Sequence, residues 1–164
     1  MMATTHALAG VAVAVLVGSV FPESAAGTSL APVAAAGLGG LFPDFDLYMG
    51  HRRTLHFPVY FNVAAAVAGV GAVAAAAVAP SIALGTASAA LFLTAAGVHS
   101  AMDAVGGGLE LKPWLGESDR AVYSHHHGRW IRPRRWVRYD GAPEDLLVAV
   151  AAAAPVIHTV DGVV

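Results

Sequence analysis

The sequence predicts an all-α fold: an integral membrane bundle of about four to five apolar helices with a polar, basic loop region in its C-terminal half. Three observations carry this. Hydrophobic residues make up 57% of the 164 residues and charged residues only 12%, where soluble domains carry roughly a quarter. Long runs of Ala, Val, Gly and Leu are almost free of charge. All nine Lys and Arg residues fall in two stretches, 43–58 and 103–145. The length makes one domain, 1–164, the default.

Each element follows in order. Ala7 to Phe21 is the first apolar segment, closed by Pro22 and Glu23. The second runs from about Ala25 to Phe42, interrupted by Pro32 and by glycines. Val59 to Ala79 is uncharged and long enough to span a bilayer, whose core needs ~20 residues of helix. Pro80-Ser81 reads as a turn, and Ile82 to Met102 returns, so these two segments form a transmembrane hairpin. Leu146 to Val160 is short and carries Pro155 and His158. A soluble Ala-rich bundle is the competing reading, but Val59 to Ala79 offers no polar face where a surface helix would alternate. Met1 to Ala26, ending in Ser24-Ala25-Ala26, also has the look of a signal peptide. It lacks a basic residue before its apolar core, so a retained segment is expected.

The hairpin places both basic stretches on one side, which the positive-inside rule makes cytoplasmic. The expected location is therefore the cell membrane, multi-pass, with the polar patches facing the cytoplasm and membrane lipid as a partner. Residues 106–145 form the one long polar segment. It holds Trp114, Trp130 and Trp136, and its run Arg129 to Arg138 suits the headgroup layer. Nucleic acid is the rival partner for such a run. Pro133 and the flanking apolar segments argue against it.

Seven of the eight histidines lie in four short polar patches. The patches are Thr5-His6, then Asp44 and Asp46 followed by His51 and His56, then His99 with Asp103, and last His125-His126-His127. Clustered imidazole and carboxylate groups in an apolar chain supply what a metal centre needs. With no cysteine, any ion must be held by nitrogen and oxygen donors. His99 and Asp103 are spaced i, i+4 and share a helix face, where a His–Asp hydrogen bond is the plainer alternative. Asp44 and Asp46 after Pro43 read as an extended turn with both carboxylates within reach of a shared ion, or as a solvated turn. His51 and His56, five apart around Arg52 and Arg53, read as a loop entering the third helix, with a pair of interfacial histidines as the alternative. His125 to His127 read as a surface histidine run.

The ordered set Thr-His, Pro-Asp-x-Asp, His-Arg-x-x-x-His and His-x-x-x-Asp resembles the LexA-regulated, inner-membrane-associated metal-dependent hydrolases, over roughly residues 1–110. The resemblance implies an α-helical membrane protein with a metal site made of His6, Asp44, Asp46, His51, His56, His99 and Asp103. One departure is visible: the family often has Arg-Gly-x-Thr-His-Ser, where this chain reads Arg52-Arg53-Thr54-Leu55-His56-Phe57. The expectation is one or two divalent ions, Zn first, with Mn, Fe or Mg as others. The ion would activate water against a phosphoester or other ester at the cytoplasmic membrane face. An unligated Asp, Asp46, would take the proton, and Arg52 and Arg53 would stabilise the oxyanion. The substrate expected at that level is amphiphilic. A metal-binding membrane protein without catalysis, such as a transporter subunit or scaffold, is the alternative, and a basic membrane anchor is a more distant one.

Overall fold

The computed structural model describes residues 1–21 and 29–161. Pro22, Glu23, the Ser24-Ala25-Ala26 run and the start of the second apolar segment at Ala25 lie outside them. The chain is mostly helical: α1 (Ala3–Val20), α2 (Leu30–Leu41), α3 (Tyr60–Ala75), α4 (Pro80–Val105) and α5 (Pro143–Asp161). A 3-10 turn over Phe42–Asp46 follows α2, and another spans Pro113–Leu115. α4 packs on α1, α2 and α3, and α5 packs on α1.

α1 and α4, of 18 and 26 residues, are long and apolar enough to cross a membrane, while α3 is apolar but has 16. The third segment, expected to reach Ala79, is thus shorter. Pro80 opens α4 rather than making a turn. Its fixed φ and missing N–H suit the first helical position, where that N–H would have no partner. α5 runs through Pro155. On α3, Val63, Val67 and Val70 are all exposed, so its outward face is as apolar as its inner one.

The polar segment forms a small antiparallel hairpin, β1 (Val122–Ser124) with β2 (Arg129–Ile131), in the register Val122 opposite Ile131 and Ser124 opposite Arg129. The basic run therefore begins as a strand rather than as a uniform surface stretch. Beyond β2 the chain caps α4. Arg134 N–H donates to Ala104 O at 3.0 Å and Trp136 N–H to Val105 O at 2.9 Å, satisfying carbonyls that a helix end leaves without partners.

Two glycines set how closely the helices meet. A Cβ on Gly39 would collide with the Phe92 backbone of α4, and one on Gly40 with the His6 backbone of α1. The end of α2 is thereby wedged between the start of α1 and the later turns of α4. Because successive helices alternate in direction, the start of α1, the end of α2, the start of α3 and the end of α4 come to one end of the bundle.

Candidate metal centre

That end gathers the polar patches. His6 enters from the first turns of α1, Asp44 and Asp46 from the 3-10 turn, His51 and His56 from the loop before α3, and His99 and Asp103 from the end of α4. Three overlapping groups have ligand atoms close enough for a shared ion: His6, His99, Asp103; Asp44, His56, His99; and Asp46, His51, His56. All seven sequence-expected ligands are in them. His6, Asp46, His56, His99 and Asp103 are buried, while Asp44 and His51 are partly exposed.

The tautomers follow from the hydrogen bonds. His99 Nδ1–H donates to Gly40 O at 2.6 Å, so the neutral ring carries its lone pair on Nε2. His56 Nδ1–H donates to Asp46 Oδ2 at 3.0 Å and likewise frees Nε2. Asp103 lies among these nitrogens: Oδ2 is 3.1 Å from His56 Nε2 and 3.6 Å from His99 Nε2, and Oδ1 is 3.4 Å from His6 Nε2. Asp44 Oδ1 stands 3.3 Å from His99 Nε2. Charge-assisted hydrogen bonds are shorter, about 2.7–2.9 Å. The Nε2 atoms of His6, His56 and His99 and Oδ2 of Asp103 are buried with no hydrogen-bond partner.

Apart from the 3.1 Å His56–Asp103 contact, which is of hydrogen-bond length, these separations suit a coordination shell better than a hydrogen-bond network. Two donors bound at ~2.0–2.2 Å to one tetrahedral ion stand about 3.4 Å apart. Charge points the same way. Asp103 faces two buried cations, the Arg52 guanidinium at 3.5 Å and the Met1 ammonium at 3.6 Å, so with neutral imidazoles the three carboxylates Asp44, Asp46 and Asp103 still outnumber them. Burying such groups without a partner is costly. The residues present fit a divalent cation.

The two carboxylates of the 3-10 turn diverge. At three residues per turn, positions i and i+2 point to different sides, so Asp44 faces His99 while Asp46 faces His51 and His56. This replaces the extended turn expected from sequence. Burial disfavours ionised Asp44, but with no ion bound a protonated His99 beside it outweighs burial and holds the carboxyl below its ordinary pKa. Burial acts likewise on Asp46, and the Leu55 N–H with His51 and His56 bring it down. Asp46, expected as the base, has both oxygens engaged. Oδ1 meets His51 Nδ1 at 3.0 Å and Arg52 N–H at 3.3 Å, while Oδ2 meets Leu55 N–H at 2.9 Å and His56 Nδ1.

The two arginines also part. Arg52 is buried, donates from Nη1 to Gly107 O at 2.8 Å, and sets Nε 3.5 Å from Asp103 Oδ2. Its φ of 59° is left-handed, a strain of about 1–3 kcal/mol that only a tightly determined surrounding sustains. That surrounding includes Asp46 on its N–H and Tyr123 N–H on its carbonyl at 2.8 Å. Arg53 is exposed and lies over the Tyr123 ring, 4.8 Å from its centroid, rather than joining Arg52 beside Asp103. The separation is a consequence of the kink at Arg52.

His125 to His127 fill the hairpin turn. His125 stacks on Phe57 with centroids 4.4 Å apart, and its Nε2–H donates to Arg53 O at 2.6 Å. His127 Nδ1 is 2.9 Å from Ser124 Oγ. Sequence reasoning missed Asp140, 3.6 Å from Arg52 Nη2, and Asp145, whose Oδ1 accepts from Thr5 Oγ1–H at 2.7 Å and so anchors α5 beside His6. A carboxylate in the first turn of an apolar helix was the available signal for Asp145. Asp140 gave none. Comparison with protein-family models, curated proteins and solved structures finds no match for this chain.

Proposed function

We propose that the chain is a membrane-embedded, metal-dependent hydrolase acting on a phosphoester or other ester at the cytoplasmic face. One observation carries the reading above all: three unpartnered, buried imidazole nitrogens and a carboxylate oxygen converge from α1, α4 and the loop before α3. The resemblance over residues 1–110 supplies the reaction class. The apolar outward face of α3, beside the two helices long enough to span, supports a multi-pass bundle.

In this reading His6, His56, His99 and Asp103 hold the ion, with zinc favoured by the nitrogen-rich, thiolate-free donor set. When bound, the ion supplies Lewis acidity that acidifies water and polarises an ester oxygen. Gly40 O and Asp46 fix the tautomers of His99 and His56, the outer support that metal-ligating histidines need. Asp44 is the carboxylate that reaches solvent, its side chain 28% exposed, so it replaces Asp46 as proton acceptor. Arg52 presents the fixed cation for a developing oxyanion.

The non-catalytic reading keeps one specific support: His6, His56 and Asp103 are almost wholly buried, as in closed structural sites. A screen of phosphomonoesters, phosphodiesters and lipid phosphates separates the two. Chelator-sensitive turnover that returns with a divalent ion is the hydrolase result. Stoichiometric metal with no turnover on any ester is the non-catalytic one.

A further inference from the structure

A cleft of about 1020 Å³ runs along the α3–α4 hairpin and reaches Val17 and Phe21 around the end of α1. Its walls are almost entirely apolar and small, including Ala66, Gly69, Ala87 and Ala90. Along α4 it extends from Pro80 to Thr94, about 21 Å at 1.5 Å per residue. Its polar groups are unevenly placed. Asn62 and Thr94 line the end nearest the metal centre and Ser29 the opposite end. The Asn62 side chain sits against Gly97, where a Cβ would meet it at 2.7 Å, and Gly97 lies two residues before His99. From Thr94 to His99 is about 7.5 Å of helix.

We propose that this cleft holds the hydrocarbon chain of a membrane lipid whose phosphoester headgroup lies at its Asn62–Thr94 end, towards the metal centre. The inference rests on the hydrolase reading for what happens at the headgroup, and on the cleft alone for where the chain lies. A hydrocarbon chain matches the shape, since the cleft is long and apolar along its length, with two of its three polar side chains at the end nearest the metal centre. Towards that end a bound ion would draw a phosphoryl oxygen. A soluble ester would leave the apolar walls unused.

The test uses the full chain, metal-loaded in detergent, exchanged against phosphatidylglycerol vesicles and examined by native mass spectrometry. The wild type should retain one lipid. Ala66→Phe and Ala87→Phe, which fill the cleft, should retain at least tenfold less while keeping their metal, which certifies an intact site. Val70→Phe, on the outward face, should retain lipid like the wild type. Equal retention by the filled variants, or none by the wild type, overturns the proposal. So does a disulfide-linked dimer of Ala72→Cys that excludes lipid, since a second copy would then occupy the cleft. Failure of the hydrolase reading looks different: lipid retained through the cleft, with no turnover of either lipid or soluble phosphoesters.

Discussion

Asp46→Asn separates the two roles a carboxylate can play beside His56. The native carboxylate meets four donors, two on each oxygen: His51 Nδ1 and Arg52 N–H, then Leu55 N–H and His56 Nδ1, at 2.9–3.3 Å. Asparagine keeps the shape but has one accepting oxygen. Whichever way the amide turns, its NH₂ faces two donors, so two hydrogen bonds to a charged group are lost, each worth about 1.5–3 kcal/mol. The expected destabilisation is therefore roughly 3–5 kcal/mol for a fully buried network. Outer support of a ligating histidine is worth 10–100-fold in metal affinity, or about 1.4–2.8 kcal/mol. Competition against a chromogenic chelator reads the affinity, and thermal unfolding with and without metal reads the stability. Unchanged affinity with turnover reduced a hundredfold or more would exclude the supporting role and return Asp46 to the role of base.

Other consequences follow from the same geometry. His99→Ala and Asp103→Asn should each abolish stoichiometric metal loading, whereas His127→Ala, in the hairpin turn, should leave it intact by elemental analysis. Gly40→Ala should lower stability by about 1–3 kcal/mol in chemical unfolding, because the new methyl overpacks against the His6 backbone. Arg52→Lys should cut turnover at least tenfold with metal retained, since an ammonium cannot reproduce the guanidinium's fork; unchanged turnover would remove Arg52 from the chemistry. The chain has no cysteine, so cysteines placed at Ser81 and Asp119 report topology cleanly. They should label from opposite sides of sealed vesicles, and labelling from one side would end the multi-pass arrangement.

Much of the site was legible because polar groups are rare in this chain and each patch sits where an apolar run ends. His99 and Asp103 needed only helical periodicity, and their convergence with His6 needed only alternating helix directions. The helices themselves followed from composition, although the ends of α3 and α4 depended on where Pro80 falls. What sequence could not show was the direction of side chains in irregular backbone. Asp44 and Asp46 part because Phe42–Asp46 is a 3-10 turn, and Arg52 and Arg53 part because Arg52 adopts a left-handed φ. Neither conformation has a signature in residue type. The hairpin was hidden for a related reason: its strands are three residues each, and pairing to the end of α4 rather than intrinsic propensity organises that region.

One divalent ion held by His6, His56, His99 and Asp103 underlies the proposed function. Metal content of the purified chain, measured by elemental analysis on wild type, His56→Ala and His99→Ala in parallel, decides whether it is there. The wild type should carry about one equivalent of ion, zinc foremost, and both variants should lose most of it with the helical circular dichroism preserved. Wild-type protein that takes up no divalent ion, or variants that bind as much as the wild type, would contradict that assignment.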